Sequence, residues 1–130
     1  MVNSRRKGAA FERKIANIFK KYGYADSRRG QQYCGISGDA DVVGLPHIHV
    51  EAKAVEKLNL YDAMSQSKRD AKRDEIPVVV HKKNRQNILV TMELPDFMTL
   101  YREFEKGYKN KPSVACSDSS FYTKEPCGKN

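Results

Sequence analysis

Residues 48–54, with the sequence IHVEAKA, constrain the fold most, because apolar and polar side chains alternate strictly along them. A period of two places the apolar side chains on one face of a β-strand and the polar ones on the other. The preceding residues 39–43, DADVV, also favour a strand, and GLPH at 44–47 has the composition of a turn. The two segments therefore predict a β-hairpin.

This hairpin brings charged side chains together. A turn at 44–47 pairs residues whose numbers sum to about 91 or 92, so we expect Asp41 beside Glu51. Lys53 points to the same side as Glu51. Two carboxylates within reach of one cation suit Mg²⁺ or Mn²⁺, and a neighbouring lysine can position water or neutralise charge on phosphorus. The spacing is therefore the one expected for metal-assisted phosphodiester hydrolysis.

The rest of the chain predicts helices and a second hairpin. Apolar residues at helical spacing predict helices over 5–22, 60–74 and from Pro95 to about 106. The β-branched runs at 76–82 and 86–94 predict two more strands, and residues 24–38 predict a loop or a short strand.

The order of these elements predicts an α/β or α+β fold. We expect a mixed central β-sheet of about four or five strands flanked by helices. Residues 1–108 would form this domain, and residues 109–130, rich in Ser and Lys and without periodicity, would form a weakly structured tail. The three cysteines are an odd number without C-x-x-C spacing, so we expect free thiols.

The charge of the chain favours an anionic partner. The net charge is +8, and residues 1–24 hold seven basic residues and a single acid, Glu12. Nucleic acid is the commonest partner of such a protein, because each neutralised phosphate releases counterions. No apolar run reaches the roughly 20 residues that span a bilayer, and the N-terminus has no apolar signal region. We therefore expect no membrane partner and a cytoplasmic location.

The charged residues also carry a resemblance to a known family. An acid on the first helix, Glu12, is followed by GDADVV with Asp41 and by VEAK with Glu51 and Lys53. This series resembles the PD-(D/E)xK nuclease superfamily, and the small size and the Glu12 helix are similar to the Holliday junction resolvases of archaea and phages. The resemblance implies a restriction-endonuclease-like fold and a homodimeric, Mg²⁺-dependent endodeoxyribonuclease that cuts four-way DNA junctions in recombination or repair. For a phage protein, the location would be the host cytoplasm.

The resemblance also implies roles for individual residues. The catalytic site would contain Glu12, Asp41, Glu51, Lys53 and Gln66. The ligands of Mg²⁺ or Mn²⁺ would be Glu12, Asp41, Glu51 and the backbone carbonyl of Ala52. A serine before the aspartate also matters in the resolvases, and Ser27 or Ser37 matches it. With the neighbouring basic residues, the predicted DNA-binding set is Arg5, Arg6, Lys7, Ser27, Arg28, Arg29, Lys68 and Lys72.

Several alternatives remain open at the level of sequence. Asp39 shares a strand face with Asp41 and is a second candidate acid, while Ala40 stands where the family name expects proline. His47 and His49 form an H-x-H pair that is conceivable as a zinc site. The whole chain is also compatible with another PD-(D/E)xK repair or restriction-like nuclease, or with a non-catalytic DNA-binding module whose acids only form surface ion pairs.

Overall fold

The computed structural model describes residues 4–30 and 40–110, which form three helices and five strands. In chain order these are α1 (Ser4–Lys21), β1 (Arg28–Arg29), β2 (Val42–Val43), β3 (Ile48–Lys53), α2 (Leu60–Asp70), β4 (Ile76–His81), β5 (Leu89–Thr91) and α3 (Leu94–Lys109). The predicted succession of helices and hairpins is confirmed, and β1 is the short strand that residues 24–38 allowed. Asp39, Ser37 and the three cysteines lie outside the described residues.

The ends of α2 show how local polar groups set its length. The Asn59 side chain accepts a hydrogen bond from the Asp62 backbone N–H at 3.1 Å, as an N-cap does. The helix ends at Asp70, four residues before the predicted end at 74. The longer prediction was wrong because the backbone of Ala71 is extended, and the next N–H donates to a glutamate side chain instead of continuing the helix.

The five strands form one mixed sheet in the order β1-β2-β3-β4-β5. The pairs β1–β2, β2–β3 and β4–β5 are antiparallel, whereas β3 and β4 are parallel. A parallel pair needs a crossover connection, and α2 provides it. Both predicted hairpins are present, and the parallel pair between them makes the sheet mixed.

Helices α1 and α2 pack on opposite faces of this sheet. On one face, α1 forms a core with strand residues Val42, Val50, Val78 and Val80. On the other face, α2 packs against Val79 through Ala63 and Met64. Side chains alternate along a strand, so the polar side chains of β3 lie on the α2 face. This α+β architecture is consistent with a restriction-endonuclease-like fold.

The chain divides into two compact units, residues 1–93 and 94–130. The sheet, α1 and α2 belong to the first unit. In the second unit, α3 carries a stripe of four aromatic rings whose successive centroids lie 5.9–6.2 Å apart: Phe97, Tyr101, Phe104 and Tyr108. The tail predicted at 109–130 lies almost wholly outside the described residues, so its boundary stays a prediction.

Among the described helices, none is both long and apolar enough to cross a membrane.

Candidate active site

The register of the β2–β3 hairpin places Asp41 beside Glu51. Val42 pairs with Val50, a sum of 92, which lies within the predicted register. The Asp41 backbone N–H donates to the Val50 carbonyl at 2.9 Å, and the Ala52 N–H donates to Asp41 Oδ2 at 2.8 Å. Asp41 is 7% exposed and Glu51 3% exposed. The hairpin thus holds two buried carboxylates side by side.

Two glycines allow the chain to hold the hairpin in this position. The Gly30 N–H donates to the Asp41 carbonyl at 2.9 Å, and a Cβ atom on Gly30 would overlap the Ala40 carbonyl oxygen. Gly44 starts the turn with φ +97°, and a Cβ there would meet the backbone of Ser27 at 2.6 Å. Glycine permits both this positive φ and these close approaches.

Burial and mutual repulsion dominate the electrostatics of the acidic pair. Burial, reinforced by the charge of Asp41, raises the pKa of Glu51 from 4.5 to about 8. The ammonium group of Lys53, whose Nζ lies 3.8 Å from Glu51 Oε2, acts in the opposite direction. Glu51 therefore carries a proton at neutral pH in the cation-free protein, and a bound cation would favour its ionised form.

Glu12 is coupled to this pair from α1. Its Oε1 atom accepts a hydrogen bond from Arg29 Nε at 2.9 Å. Burial raises the pKa of Glu12, the Arg29 hydrogen bond opposes that shift, and the charge of Asp41 adds to it. The structure therefore brings the predicted helix acid into the electrostatic field of Asp41, with Arg29 as its direct partner.

His49 and Asp70 extend the acidic site toward α2. One ligand atom each from His49, Glu51 and Asp70 lies within 4.8 Å of the others, which makes this group able to hold a metal ion. Sequence reasoning left His49 as an uncertain member and missed Asp70. A signal was available, because Asp70 follows the buried residues Ala63 and Ser67 at helical spacings of seven and three.

The other predicted site residues have different surroundings. Gln66 is half-buried and lies one turn before Asp70 on the same face of α2. His47 is exposed in the turn with φ +67° and does not belong to the metal-ligand group found among the described residues. The H-x-H pair is therefore split, since His49 alone faces the acids.

The predicted DNA-binding side chains are mostly accessible. Exposed members are Arg5, Arg6, Arg28, Arg29, Lys68 and Lys72. Lys7 is half-buried, and Lys68 forms an ion pair with Glu93 at 2.8 Å. Ser27 differs, because it is buried and its Oγ atom has no hydrogen-bond partner among the described residues. Its contact with DNA stays a prediction.

Four lysines from distant parts of the sequence line a cavity next to the sheet, and sequence reasoning did not predict that they lie close together. A cavity of about 150 Å³ is lined by Lys7 and Lys14 of α1 and by Lys82 and Lys83, which follow β4. The Lys82 backbone N–H donates to the Lys53 carbonyl at 3.0 Å, so the cavity adjoins the end of β3. The seven-residue spacing of the α1 lysines puts both on one helix face and was the available signal.

Comparison with known proteins identifies a family that covers most of the chain. A model of the family described as "Phage putative PDDEXK endonuclease" matches residues 3–124 of the 130-residue chain. No curated protein and no solved structure matches the chain. The matched range includes α1, the β2–β3 hairpin and α2, which carry all the acids of the site.

Proposed function

Since the chain belongs to the family of phage PDDEXK endonucleases, we propose that it is a metal-dependent endonuclease that resolves four-way DNA junctions. The observation that carries the catalytic part is the buried pair of Asp41 and Glu51 with Lys53 on one face of the sheet. Burying two neighbouring carboxylates is costly unless a cation compensates them. A structural surface ion pair would not require this burial, so the geometry favours an enzyme over a non-catalytic DNA-binding module.

The donor set fits a divalent metal ion. We propose Asp41, Glu51 and the Ala52 carbonyl as ligands, with Glu12 completing the acidic site. Carboxylate and carbonyl oxygens suit Mg²⁺ and Mn²⁺, and a cation bound there would polarise a phosphoryl oxygen and lower the pKa of bound water. The raised pKa of Glu51 supports this assignment, because an adjacent dication stabilises the ionised carboxylate.

Lys53 is proposed as the catalytic lysine. Its side chain is partly exposed while its Nζ atom stays 3.8 Å from the buried Glu51 carboxyl oxygen. The Lys53 ammonium group can therefore contact both the acidic centre and a phosphate group that approaches from solvent. An ammonium group in this position stabilises negative charge that develops on the phosphate oxygens in the transition state.

The surface charge supports DNA as the substrate. The exposed arginines of α1 and β1 and the cavity lined by Lys7, Lys14, Lys82 and Lys83 provide cations on the unit that carries the acidic centre. No ion pair with an acid is found for these four lysines among residues 4–30 and 40–110. We propose that they contact the DNA backbone, as unpaired basic residues do in nucleic-acid-binding proteins.

The junction specificity, the homodimer and action in the host cytoplasm are the finer parts of the proposal. They rest on the resemblance of the Glu12, Asp41, Glu51 and Lys53 series to small resolvases. The electrostatic interaction of Glu12 with Asp41 supports this resemblance. Glu12 is the helix acid that distinguishes these resolvases, and the charge of Asp41, a proposed metal ligand, raises its pKa.

One cleavage assay tests the proposal. Purified protein is incubated with labelled four-way junction, nicked, flap and linear duplex DNA, each with Mg²⁺, Mn²⁺ or EDTA. We expect paired cuts in the junction with metal and none with EDTA. Cleavage of no substrate would exclude the nuclease, whereas sequence-specific cleavage of linear duplex would exclude the resolvase part. A monomer by light scattering at micromolar concentration would contradict the preformed dimer.

A Lys53→Ala variant tests the catalytic assignment, with Lys57→Ala as the matched control from the exposed segment that follows β3. Loss of a group that stabilises only the transition state should reduce the cleavage rate by about 10²–10³-fold and leave junction affinity nearly unchanged. The control should cleave like the wild type. If Lys53→Ala instead loses most of its junction affinity, the lysine is a phosphate anchor and not a catalytic group.

A further inference from the structure

We propose that His49, Glu51 and Asp70 form a cation position in which the His49 imidazole is a ligand, and that this position selects Mn²⁺ over Mg²⁺. The inference rests on the proposed nuclease only for the use of the ion in catalysis. It places a nitrogen ligand from β3 and an acid from α2 beside the oxygen ligands proposed above, Asp41 and the Ala52 carbonyl, with Glu51 common to both groups.

The first observation is a buried imidazole nitrogen without a partner. His49 is 1% exposed, and its Nε2 atom has no hydrogen-bond partner among the described residues. An unsatisfied buried polar atom costs free energy, and native proteins rarely leave one without a reason. Because His49 also shares a 4.8 Å cluster of ligand atoms with Glu51 and Asp70, a cation is the partner that fits.

The second observation is the orientation of the ring. His49 Nδ1 lies 3.5 Å from Glu75 Oε1, and the same oxygen accepts a hydrogen bond from the Lys72 backbone N–H at 2.9 Å. A carboxylate on one nitrogen of an imidazole, with the other nitrogen left for the metal, is the usual arrangement of metal-binding histidines. The loop after α2 thus supplies Glu75 as a positioning residue, and Nε2 is the nitrogen left for a ligand.

The chemistry of the donor atoms discriminates between the two ions. Mg²⁺ binds oxygen ligands almost exclusively, whereas an imidazole suits transition-metal ions and carboxylates suit both classes. One nitrogen with two carboxylate ligands therefore favours Mn²⁺ over Mg²⁺. Glu51 belongs both to this group and to the pair with Asp41, so the position adjoins the proposed catalytic metal ligands.

Mn²⁺ itself is the probe, since its electron paramagnetic resonance reports binding and ligand type without any DNA. We expect the pulsed spectrum of Mn²⁺ bound to the wild-type protein to show coupling to a ¹⁴N nucleus. Mg²⁺ should displace the ion only at concentrations about tenfold or more higher. In His49→Leu, which removes the nitrogen but fills the buried space, the coupling should vanish, and Mn²⁺ affinity should fall by more than the roughly 10- to 100-fold that loss of an outer-shell partner costs.

Three further variants keep the test decisive. Asp70→Asn removes a ligand and should weaken Mn²⁺ binding. Glu75→Gln should weaken Mn²⁺ binding less, and the nitrogen coupling should persist. These two variants test the inference even if His49→Leu does not fold. Asp74→Asn, an exposed acid of the same loop, should bind like the wild type. Bound Mn²⁺ without nitrogen coupling, or equal affinities for Mn²⁺ and Mg²⁺, would overturn the inference.

The outcomes also separate this inference from the proposed function. If Mn²⁺ binds with nitrogen coupling but no DNA substrate is cut, the function fails and the cation position stands. If the DNA is cut and the bound ion shows no nitrogen coupling, only the inference fails.

Discussion

The buried carboxyl group of Glu51 should make the cation-free protein less stable as the pH rises. Its pKa is about 8 in the folded protein, against 4.5 as the reference value for the unfolded chain. Below pH 4.5 both states carry the proton and the group contributes nothing. Between pH 4.5 and 8 the unfolded state loses the proton first, so the free energy of unfolding falls across this range.

The size of the effect follows from the two pKa values. Each pH unit between 4.5 and 7 lowers the free energy of unfolding by about 1.4 kcal/mol, so at pH 7 the ionisation of Glu51 in the unfolded chain lowers it by about 3 kcal/mol. Glu51→Gln resembles the protonated acid in shape and does not titrate. In EDTA at pH 7 the variant should therefore be more stable than the wild type by up to about 3 kcal/mol, and the difference should disappear near pH 4.

Urea unfolding in EDTA from pH 4 to 8, followed by circular dichroism, measures this difference. Other acids titrate in both proteins, so the gap between wild type and variant reports Glu51. Glu103→Gln, an exposed acid of α3, is the control and should show no such gap. Added Mn²⁺ should stabilise the wild type at pH 7 more than Glu51→Gln. A wild type whose stability does not fall between pH 5 and 8 relative to the variant would refute the reasoning.

Two further predictions concern the frame of the site and its charge. Gly30→Ala should cost about 1–3 kcal/mol of unfolding free energy, because its Cβ overlaps a backbone carbonyl next to β2; Gly8→Ala, in open space on α1, should instead stabilise by about 0.5–1 kcal/mol. Equal stabilities of the two variants would contradict this. Replacing Lys82 and Lys83 by alanine should reduce the slope of log affinity for DNA against log salt by about 1.8, whereas Lys106→Ala leaves it unchanged; an unchanged slope in the double variant would remove that cavity from the DNA path.

The β2–β3 hairpin could be predicted because its sequence specifies its own register. Strict alternation along β3 leaves one face for the core, and a slip by one residue would bury the polar set in the α1 core. The turn at 44–47 then determines which residues face each other. The proximity of Asp41, Glu51 and Lys53 follows from the alternation and the turn, so it could be predicted without knowing how distant parts of the chain pack.

The contributions of Asp70 and of the lysine cavity depend on contacts distant in sequence. Asp70 reaches Glu51 because α2 crosses the sheet face between two parallel strands, and that crossing is decided by packing against Val79. Periodicity identified the apolar stripe of α2 but not the strand face that it covers. Similarly, the lysines of α1 meet those after β4 only once both elements pack on the sheet, so their convergence is a property of the fold.

Register alone would permit a hydrophobic residue where Glu51 stands. Glu51 pairs with Val79 across the parallel strands, and both side chains are buried on the face that α2 covers. A valine at both positions would complete the apolar layer, whereas the acid raises its own pKa and destabilises the cation-free protein at neutral pH. A buried strand position that breaks the local rules of folding in this way indicates a functional site. His49, two residues earlier on the same face, breaks the rule in the same way through its unpartnered Nε2, so one ion would satisfy both departures.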